Sequence, residues 1–526
     1  MALRILHHGW FLREGLTELG CEVLPFKPRA DATLDEQVEA TGFAPDVVLL
    51  ELFGKAALPR GLHASRHRLA AYCVDSPLNG FWLVPLLRCF DLAWVDQLAS
   101  VARFGQQGAS VRWLPLCVSR NHFRAPAAEP EHFLTFVGRT SETRAKRANL
   151  LKHISARFPL NLVQNVTTEG MLDLFANSRV VLNENFFPGL NLRFFHGLAS
   201  GGLLLSERGG QGVDRLFEDG AHFVSFDHTD VLDVLGTIQK APKKHAAIAA
   251  AGQALCLERH TSAARAKEIL ADLRALAERP RRREADAAQA EALAMYRFAQ
   301  RFGGDVSACV RTWKQAAQDP QADPSQALGL LGAAAWRSGK VANGLELLEA
   351  AASLPSLHGL DAALKLLVAQ RETPQVAARL ARVMELLAGL GLNEPRFAKR
   401  AARMAKGQDV AFHCCMLCCD VLWALDRAVE PGFSKPAPER LPDTALEAAL
   451  LAFAHAKARE ALDAIVRCAK QADMAAEALP HLTAAILEGA ASDRQIALAA
   501  SLAQEYYDFD YARTVLQSLK RRRTAR

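Results

Sequence analysis

Short apolar runs alternate with helix-like stretches along the first half of the chain. This alternation is typical of repeated strand–helix–strand units, which place helices on both faces of a parallel sheet. A first series of strands is predicted at residues 4–8, 22–26, 46–51, 69–74, 92–95 and 111–115. Each of these runs ends before a loop rich in Gly, Pro, Asp or His. The pattern therefore predicts a Rossmann-like domain over residues 1–128.

The alternation of strands and helices starts afresh near residue 130. A second series of strands is predicted at residues 133–137, 160–163, 180–182, 202–205 and 222–226. The stretch between the two series is rich in Pro and Ala, as expected for a hinge connector. We therefore predict a second Rossmann-like domain over residues 129–278 and an α/β fold for this half of the chain.

From residue 284 onward, Ala- and Leu-rich helical periodicity replaces the β-like runs, which predicts an all-α domain over residues 284–526. Part of this region repeats with a spacing of 35 residues: Gly304, Val306, Cys309, Trp313, Ala316 and Pro320 recur as Gly339, Val341, Gly344, Leu348, Ala351 and Pro355. The spacing and the small residues resemble tetratricopeptide repeats, in which paired helices pack closely. Stacked helix pairs expose a long concave surface, so we expect the domain to bind a protein partner or a protein acceptor.

The charge of the chain argues against nucleic acid as a partner. The 526 residues carry a net charge of +6, and most basic residues are interleaved with acidic ones. The exceptions are two short basic runs at residues 279–283 and 520–523. We interpret these runs as a solvated linker and a solvated tail, with contact to a membrane surface or an acidic partner as the alternative.

The pattern of apolar residues and cysteines predicts a cytoplasmic protein. No apolar stretch approaches the ~18 residues of a membrane-spanning helix, and the N-terminal residues lack the pattern of a secretory signal. The 11 cysteines are odd in number and scattered over the chain, which suits reduced thiols better than a disulfide framework. We therefore expect no integral membrane segment.

The most informative motif lies at residues 182–210, where a predicted strand leads through a glycine-bearing loop into the start of a helix. The residues that carry the motif are Gly189, Leu190, Asn191, Arg193 and His196. Backbone N–H groups at the start of a helix lack partners within the helix and face anions favourably. A nucleotide diphosphate is the natural anion for such a site.

This motif resembles the donor-binding segment of the CgeB-like, spore-maturation type of glycosyltransferase, which has two Rossmann-like domains in the GT-B arrangement. Upstream, Gly138 and Arg139 followed by Arg144 and Arg147 are similar to the family's first strand and basic loop in the donor domain. The resemblance covers about residues 1–275. It implies a retaining, metal-independent enzyme that transfers a sugar from a nucleotide-diphosphate sugar to an acceptor, either a protein or a surface glycan.

The resemblance also implies which residues contact the donor: Gly138, Arg139, Arg144, Arg147, Gly189, Leu190, Asn191, Arg193 and His196. Arg193 is the first choice for the diphosphate, because a guanidinium matches phosphate oxygens with two parallel hydrogen bonds. Where the family carries a glutamate that holds the ribose, this sequence has His196. An imidazole can still bond to a ribose hydroxyl, and the alternative is a packing residue beside two phenylalanines.

Three further residues are candidate catalytic groups because each ends a predicted parallel strand. These are Asp75, His7 and His8. Ligands gather at the carboxyl ends of strands in doubly wound sheets, so the side chains are expected to face the cleft. The alternatives are an Asp-Ser-Pro turn for Asp75 and a helix-capping turn for the histidines.

Four cysteines cluster in the helical region, at Cys414, Cys415, Cys418 and Cys419. Pairs of them lie one helical turn apart, but no second pair stands at zinc-finger spacing. We therefore expect no metal there, since free cysteines on a buried helix behave as small apolar residues. The two predicted Rossmann-like domains contain no Asp-x-Asp motif of the kind that single-domain glycosyltransferases use to hold a divalent ion, so the nucleotide sugar is the only small molecule expected.

Two functions from different classes fit this sequence. The leading hypothesis is a glycosyltransferase. The rival is a degenerate glycosyltransferase fold that serves as a scaffold and binds a protein through its helical repeats. The histidine at residue 196 favours the rival, whereas the remaining glycines and arginines of the motif favour the enzyme.

Overall fold

The structure is a computed structural model that describes residues 2–54, 57–141, 144–276, 287–319, 323–428, 441–471 and 475–524. The chain forms two compact units. The first comprises Met1–Asn79, Leu86–Glu284 and Ala500–Ser518, and the second comprises Gly80–Pro85, Ala285–Ala499 and Leu519–Arg526. The predicted basic linker at residues 279–283 lies outside the described residues, as does Pro320 of the predicted repeat.

The first sheet of the first unit has six parallel strands in the order β2-β1-β3-β4-β5-β6. Its strands are β1 (Arg4–His8), β2 (Glu22–Pro25), β3 (Val47–Leu52), β4 (Leu69–Cys73), β5 (Leu92–Val95) and β6 (Arg112–Trp113). The helices between them are α1 (Arg13–Glu18), α2 (Leu34–Ala40), α3 (Ser76–Leu86) and α4 (Leu98–Gln106). Every residue of β3 and β4 is buried, as expected for central strands covered on both faces.

The second sheet of this unit has five parallel strands in the order β11-β10-β9-β7-β8. Its strands are β7 (His132–Val137), β8 (Leu160–Val163), β9 (Ser178–Asn183), β10 (Leu203–Glu207) and β11 (Val224–Phe226). The helices are α5 (Ala145–Ser155), α6 (Thr168–Ala176), α7 (Leu192–Ala199), α8 (Val231–Lys240), α9 (Pro242–Arg259) and α10 (Ser262–Leu276). A strand occurs at each position predicted from the sequence.

Apolar packing joins the two Rossmann-like domains within the first unit. One core cluster contains Ile5 of β1 and Leu12 of the following loop together with Phe194 and Phe195 of α7. Helix α10 returns to the first domain, and Gly15 of α1 lies so close to it that a Cβ there would be 2.2 Å from a backbone oxygen. The two domains therefore share one hydrophobic core.

The described part of the chain after β11 and α10 is helical. The helices are α11 (Ala287–Phe302), α12 (Ser307–Gln318), α13 (Ser325–Arg337), α14 (Val341–Ala352), α15 (Leu357–Ala369), α16 (Val376–Gly389), α17 (Pro395–Ala405), α18 (Val410–Ala424), α19 (Ala445–Ala456), α20 (Arg459–Gln471), α21 (Leu479–Leu487), α22 (Asp493–Glu505) and α23 (Phe509–Thr524). The predicted fold class, two Rossmann-like domains followed by an all-α region, is confirmed.

The repeat positions of the helical region are packing residues. Trp313 on α12 and Leu348 on α14 are fully buried. A Cβ on Gly332 would lie 2.8 Å from Leu348, and one on Gly344 would lie 2.9 Å from the backbone of the facing helix. These glycines let α13 and α14 approach closely. Membership of the tetratricopeptide family stays a prediction.

Candidate functional site

Arg193 reaches from the first turn of α7 to the carboxyl edge of the second sheet. Its Nε donates to the Val137 carbonyl at 2.9 Å, and its Nη1 donates to Asn183 Oδ1 and the Glu184 carbonyl at 3.4 Å each. The guanidinium lies 4.5 Å from the centre of the Phe136 ring. Burial lowers the pKa of Arg193 to about 10, so this group stays cationic at neutral pH.

Arg147 of α5 is buried against the same edge. Its Nε and Nη2 both lie 2.7 Å from the Glu184 carboxylate, and its Nη1 donates to the Arg139 carbonyl at 2.9 Å. The Arg139 side chain is exposed. Gly138 leaves room for the Arg193 guanidinium, because a Cβ at this residue would lie 2.7 Å from Arg193 Nη2. Arg147 is therefore held by a carboxylate, whereas Arg193 is held by carbonyl and amide oxygens.

Arg144 precedes α5 and completes this basic cluster, which we define as Arg144, Arg147 and Arg193. Its guanidinium lies 4.9 Å from the centre of the half-exposed Phe186 ring. Burial and the charge of Arg147 lower the pKa of Arg144, whereas Glu184 and Asp75 act in the opposite direction. Three guanidinium groups thus lie near one buried carboxylate, which leaves a net positive charge at the edge of the sheet.

Asp75 faces this cluster from the carboxyl end of β4. Its φ of +52° is in the left-handed region, which non-glycine residues adopt at a cost of order 1 kcal/mol or more. Its N–H donates to Asp96 Oδ2 at 2.8 Å. Crowding by neighbouring protein atoms removes part of the hydration of the carboxyl, and together with the Asp96 charge it raises the pKa of Asp75 to about 6, while Arg144 opposes this shift. The residue as a whole keeps contact with water.

Asp96 is a site residue that the sequence reasoning missed. It is fully buried and accepts hydrogen bonds from the Ser76 N–H at 3.1 Å, the Ser76 hydroxyl at 2.6 Å and Gln97 Nε2 at 2.9 Å. Asp96 thus fixes the turn in which Asp75 lies. Its position could have identified it, because Asp96 comes directly after the predicted strand at residues 92–95, on the same sheet edge as Asp75.

Gln97 joins the first domain to the donor motif and was also missed. Its Nε2 donates to the Leu190 carbonyl at 2.7 Å, and its Oε1 accepts from the Leu190 N–H at 2.9 Å. A Cβ on Gly189 would lie 2.3 Å from Gln97 Oε1, so this glycine admits the glutamine. Asn191 caps α7 through its Oδ1, which accepts from the Phe194 N–H at 3.0 Å. These motif residues shape the loop.

His7 and His8 are engaged within the protein. His7 is buried, with Nε2 3.1 Å from Glu51 Oε1. His8 Nδ1 lies 3.1 Å from the Phe26 carbonyl, and burial lowers the pKa of His8. The Glu51 carboxylate also accepts from the N–H groups of residues 10, 11 and 12. The exposed residue of this loop is Trp10, with 61% of its surface accessible.

His196 lines a cavity of about 660 Å³ between the two Rossmann-like domains. Trp10, Glu14 and His122 line it from the first domain, and Thr168 and His196 line it from the second. The rings of His122 and His196 meet edge to face, with centroids 4.9 Å apart. His196 Nε2 is buried without a hydrogen-bond partner among the described residues. Burial lowers the pKa of His196 to about 3, so the imidazole is neutral.

The cysteine cluster lies inside α18, where all four side chains are buried. All 11 cysteines of the chain are free thiols. Within the described residues, no three His, Cys, Asp or Glu side chains come together as a potential metal site. Among the helices that the structure describes, none has both the length and the apolar character needed to cross a membrane.

Comparison with known families finds a similarity over the second domain. Residues 124–271 match the family model described as "Glycosyl transferase-like". This segment contains the whole second sheet and the basic cluster. The second Rossmann-like domain is therefore similar to this family over the matched residues. The match covers well under half of the chain, and no curated protein matches it.

Several solved structures are similar to part of this chain. HepE from Anabaena in complex with UDP shares 14% identity over 52% of this chain and 100% of that chain, with a TM-score of 0.39. Sucrose-phosphate synthase from Thermosynechococcus elongatus shares 10% identity over 52% of this chain and 99% of that chain, with a TM-score of 0.39. A UDP-forming α,α-trehalose-phosphate synthase from Burkholderia xenovorans shares 12% identity over 53% of this chain and 100% of that chain, with a TM-score of 0.38.

Proposed function

We propose that this protein is a glycosyltransferase that moves a sugar from a nucleotide-diphosphate sugar to an acceptor. The observation that carries the proposal is the basic cluster within a glycosyltransferase-like domain. Its three guanidinium groups face two carboxylates, the buried Glu184 and Asp75, whose pKa is raised. The positive charge that remains uncompensated favours a multivalent anion, and a diphosphate supplies one.

The cluster suits the chemistry of the leaving group. When the bond from the sugar to the diphosphate breaks, negative charge develops on the β-phosphate. Fixed cations stabilise this charge in the transition state without having to reorganise. We assign this role to Arg193 and Arg144, with Arg147 and Arg139 supporting the loop. In this proposal the guanidinium groups do the work of a divalent ion, so a chelator should leave turnover unchanged.

The cavity beside His196 is the proposed place for the nucleoside. Its volume of about 660 Å³ lies within the range of small-molecule sites. His196 is three residues beyond Arg193 on the same helix, so the two side chains lie on one face of α7. A ribose hydroxyl would satisfy His196 Nε2, which has no partner within the described residues. The neutral imidazole would take the place of the family's glutamate.

Asp75 is the proposed catalytic group, with His7 and His8 supporting the β1 loop. Its carboxylate faces Arg144 and belongs to the first domain, where we place the acceptor. A pKa of about 6 suits a group that exchanges a proton near neutral pH. We further propose retention at the anomeric carbon, membership of the CgeB-like type and a cytoplasmic location, the last in keeping with the free thiols.

A direct test measures nucleotide-sugar hydrolysis and nucleotide binding with the purified full chain. UDP-, GDP- and TDP-sugars are scanned by product release, and UDP and GDP are titrated by calorimetry. We expect one nucleotide to bind and its sugar to be hydrolysed slowly, with both signals reduced in Arg144→Ala. The matched control is Arg179→Ala, which removes an exposed arginine of β9.

The second candidate function is a non-catalytic scaffold that binds a protein through its helices. The observation that favours it is the burial of His196 against His122, where the family has a ribose-binding glutamate. If no nucleotide binds and no sugar is released with any donor, the scaffold becomes the better explanation. Binding with Arg144-dependent turnover excludes it as the sole function.

A further inference from the structure

The chain returns to the first unit near its C-terminal end, at Ala500–Ser518. Tyr507 lies in the turn between α22 and α23, and only 4% of its surface is exposed. Its ring belongs to the core cluster that contains Leu134 and Phe136 of β7 and Leu205 of β10. Tyr507 is therefore a core residue of the second sheet, although it follows that sheet by almost 300 residues.

The backbone of Tyr507 is held in an unfavourable conformation. Its φ is +57°, in the left-handed region that bulky side chains rarely adopt. This conformation closes the C-terminal end of α22, where the Tyr507 N–H donates to the Gln504 carbonyl at 2.8 Å and the Asp508 N–H donates to the Ala503 carbonyl at 2.8 Å. The turn directs the Tyr507 ring into the core cluster of the second sheet.

The Tyr507 hydroxyl donates to Glu207 Oε1 at 3.3 Å. Glu207 ends β10, and its carboxylate also lies 2.7 Å from Lys146 Nζ and accepts from the Asn185 N–H at 3.2 Å. Asn185 Oδ1 in turn accepts from Asn191 Nδ2 at 3.0 Å, and Asn191 caps α7. A continuous series of hydrogen bonds thus runs from Tyr507 to the start of the helix that carries Arg193.

The same turn packs on α5, the helix that follows Arg144 and contains Arg147. Asn149 Nδ2 donates to the Tyr506 carbonyl at 3.1 Å, and the rings of His153 and Phe509 lie 4.7 Å apart. The 506–509 turn therefore contacts both elements that hold the basic cluster. One contact reaches α7 through Glu207, and the other braces α5 directly.

We propose that Tyr507 is a positioning residue of the donor site: its hydroxyl holds the Glu207 carboxylate, which orients Lys146 and the Asn185–Asn191 link at the start of α7. This role rests on the proposed function, because the donor site is assigned there. Burial keeps the phenol protonated, since it raises the pKa of Tyr507 far above the usual value. The hydroxyl is thus a permanent donor to Glu207.

The test uses the full chain with Tyr507→Phe, which removes the hydroxyl and keeps the ring. The control is Leu235→Val, which removes a buried methylene from the same core cluster without touching Glu207. UDP and GDP affinities are measured by calorimetry beside thermal unfolding. We expect Tyr507→Phe to weaken the better-bound nucleotide by about threefold to tenfold, a share of one hydrogen bond to a charged group. Leu235→Val should leave the affinity unchanged.

Equal affinity in Tyr507→Phe and wild type, or an equal loss in both variants, overturns the positioning role. Hydrogen exchange of the nucleotide-free protein separates this failure from that of the proposed function. Faster exchange at the first turn of α5 and over residues 185–194, in Tyr507→Phe alone, supports the positioning contact even if no nucleotide binds. Unchanged exchange overturns it, whereas absent nucleotide binding by the wild type overturns only the proposed function.

Discussion

At the scale of single residues, Asp75 combines a strained backbone with a carboxyl whose pKa is raised to about 6. Asp75→Asn keeps the size of the side chain and tolerates the left-handed backbone. We expect hydrolysis of the nucleotide sugar to fall about 100-fold or more, the usual effect of losing a general acid or base. Nucleotide affinity should change little. Asp31→Asn is the control because it changes an exposed carboxylate that is not among the proposed site residues, and a matching loss there would remove Asp75 from the chemistry.

The same pKa predicts how rate and stability depend on pH. If the ionised Asp75 is the active form, the rate should rise as the pH increases through about 6. Because the folded pKa exceeds the ordinary value of 3.8, the free energy of unfolding should fall over the same window, from about 4 to about 6. Water screens this exposed group, so the fall is at most about 1 kcal/mol. Urea titrations of wild type and Asp75→Asn at several pH values measure the difference.

Arg193 is the residue expected to contribute most to diphosphate binding. Arg193→Ala should weaken nucleotide binding by about 1.5–3 kcal/mol, the usual value of a hydrogen bond to a charged group. Calorimetry with UDP and GDP measures the change, and thermal unfolding checks that the fold persists. Arg179→Ala serves as the control because it removes equal charge from a solvent-exposed position. Unchanged affinity in a folded Arg193→Ala protein would exclude Arg193 from the site.

His196 should make the protein sensitive to acid. Its folded pKa of about 3 lies below the ordinary 6.5, so the unfolded chain binds a proton that the folded protein does not. Stability from His196 is present above pH 6.5 and is lost as the pH falls towards 3. The shift corresponds to a loss of about 5 kcal/mol at most. His196→Gln should flatten this decline in urea titrations between pH 7 and 4. A decline as steep as in the wild type would show that other groups cause it.

At the scale of structural elements, Gln97 links the α4 end of the first sheet to the loop before α7. Gln97→Ala leaves the buried N–H and carbonyl of Leu190 without these partners, which should cost about 1–3 kcal/mol of stability. We also expect weaker nucleotide binding, because the loop bears the start of α7. Urea unfolding and calorimetry measure the two effects. Gln107→Ala, on the exposed end of α4, should change neither.

The elements themselves were largely predictable from the sequence, whereas their supporting contacts were not. The period of apolar residues locates a strand, and a strand occurs at each predicted position. Arg147 pairs with Glu184, and Gln97 exchanges hydrogen bonds with Leu190. In both pairs the partner lies distant along the chain. Local patterns do not encode such pairs. Asp96 and Glu51 could nevertheless have been predicted as site residues, since Glu51 ends one predicted strand and Asp96 directly follows another.

At the scale of the whole molecule, the first compact unit includes a segment from the far end of the chain. A chain that ends after residue 499 loses Tyr507 from the core of the second sheet. We expect the first unit to lose at least about 3–5 kcal/mol, the usual cost of deleting one buried aromatic side chain, because Phe509 is removed from the same core as well. A chain that ends after residue 518 retains the segment and is the control. Thermal unfolding followed with bound nucleotide compares them, and equal midpoints would contradict the expectation.

The return of Tyr507 has a consequence for how the protein is made. Glu207 and Tyr507 are 300 residues apart in the chain. At a synthesis rate of ~5–20 residues per second, about 15–60 s pass between the emergence of one and the other from the ribosome. Throughout that interval the core cluster that contains Leu134, Phe136 and Leu205 lacks the Tyr507 ring. A nascent chain of this protein should therefore be a client of chaperones until its last helices are synthesised.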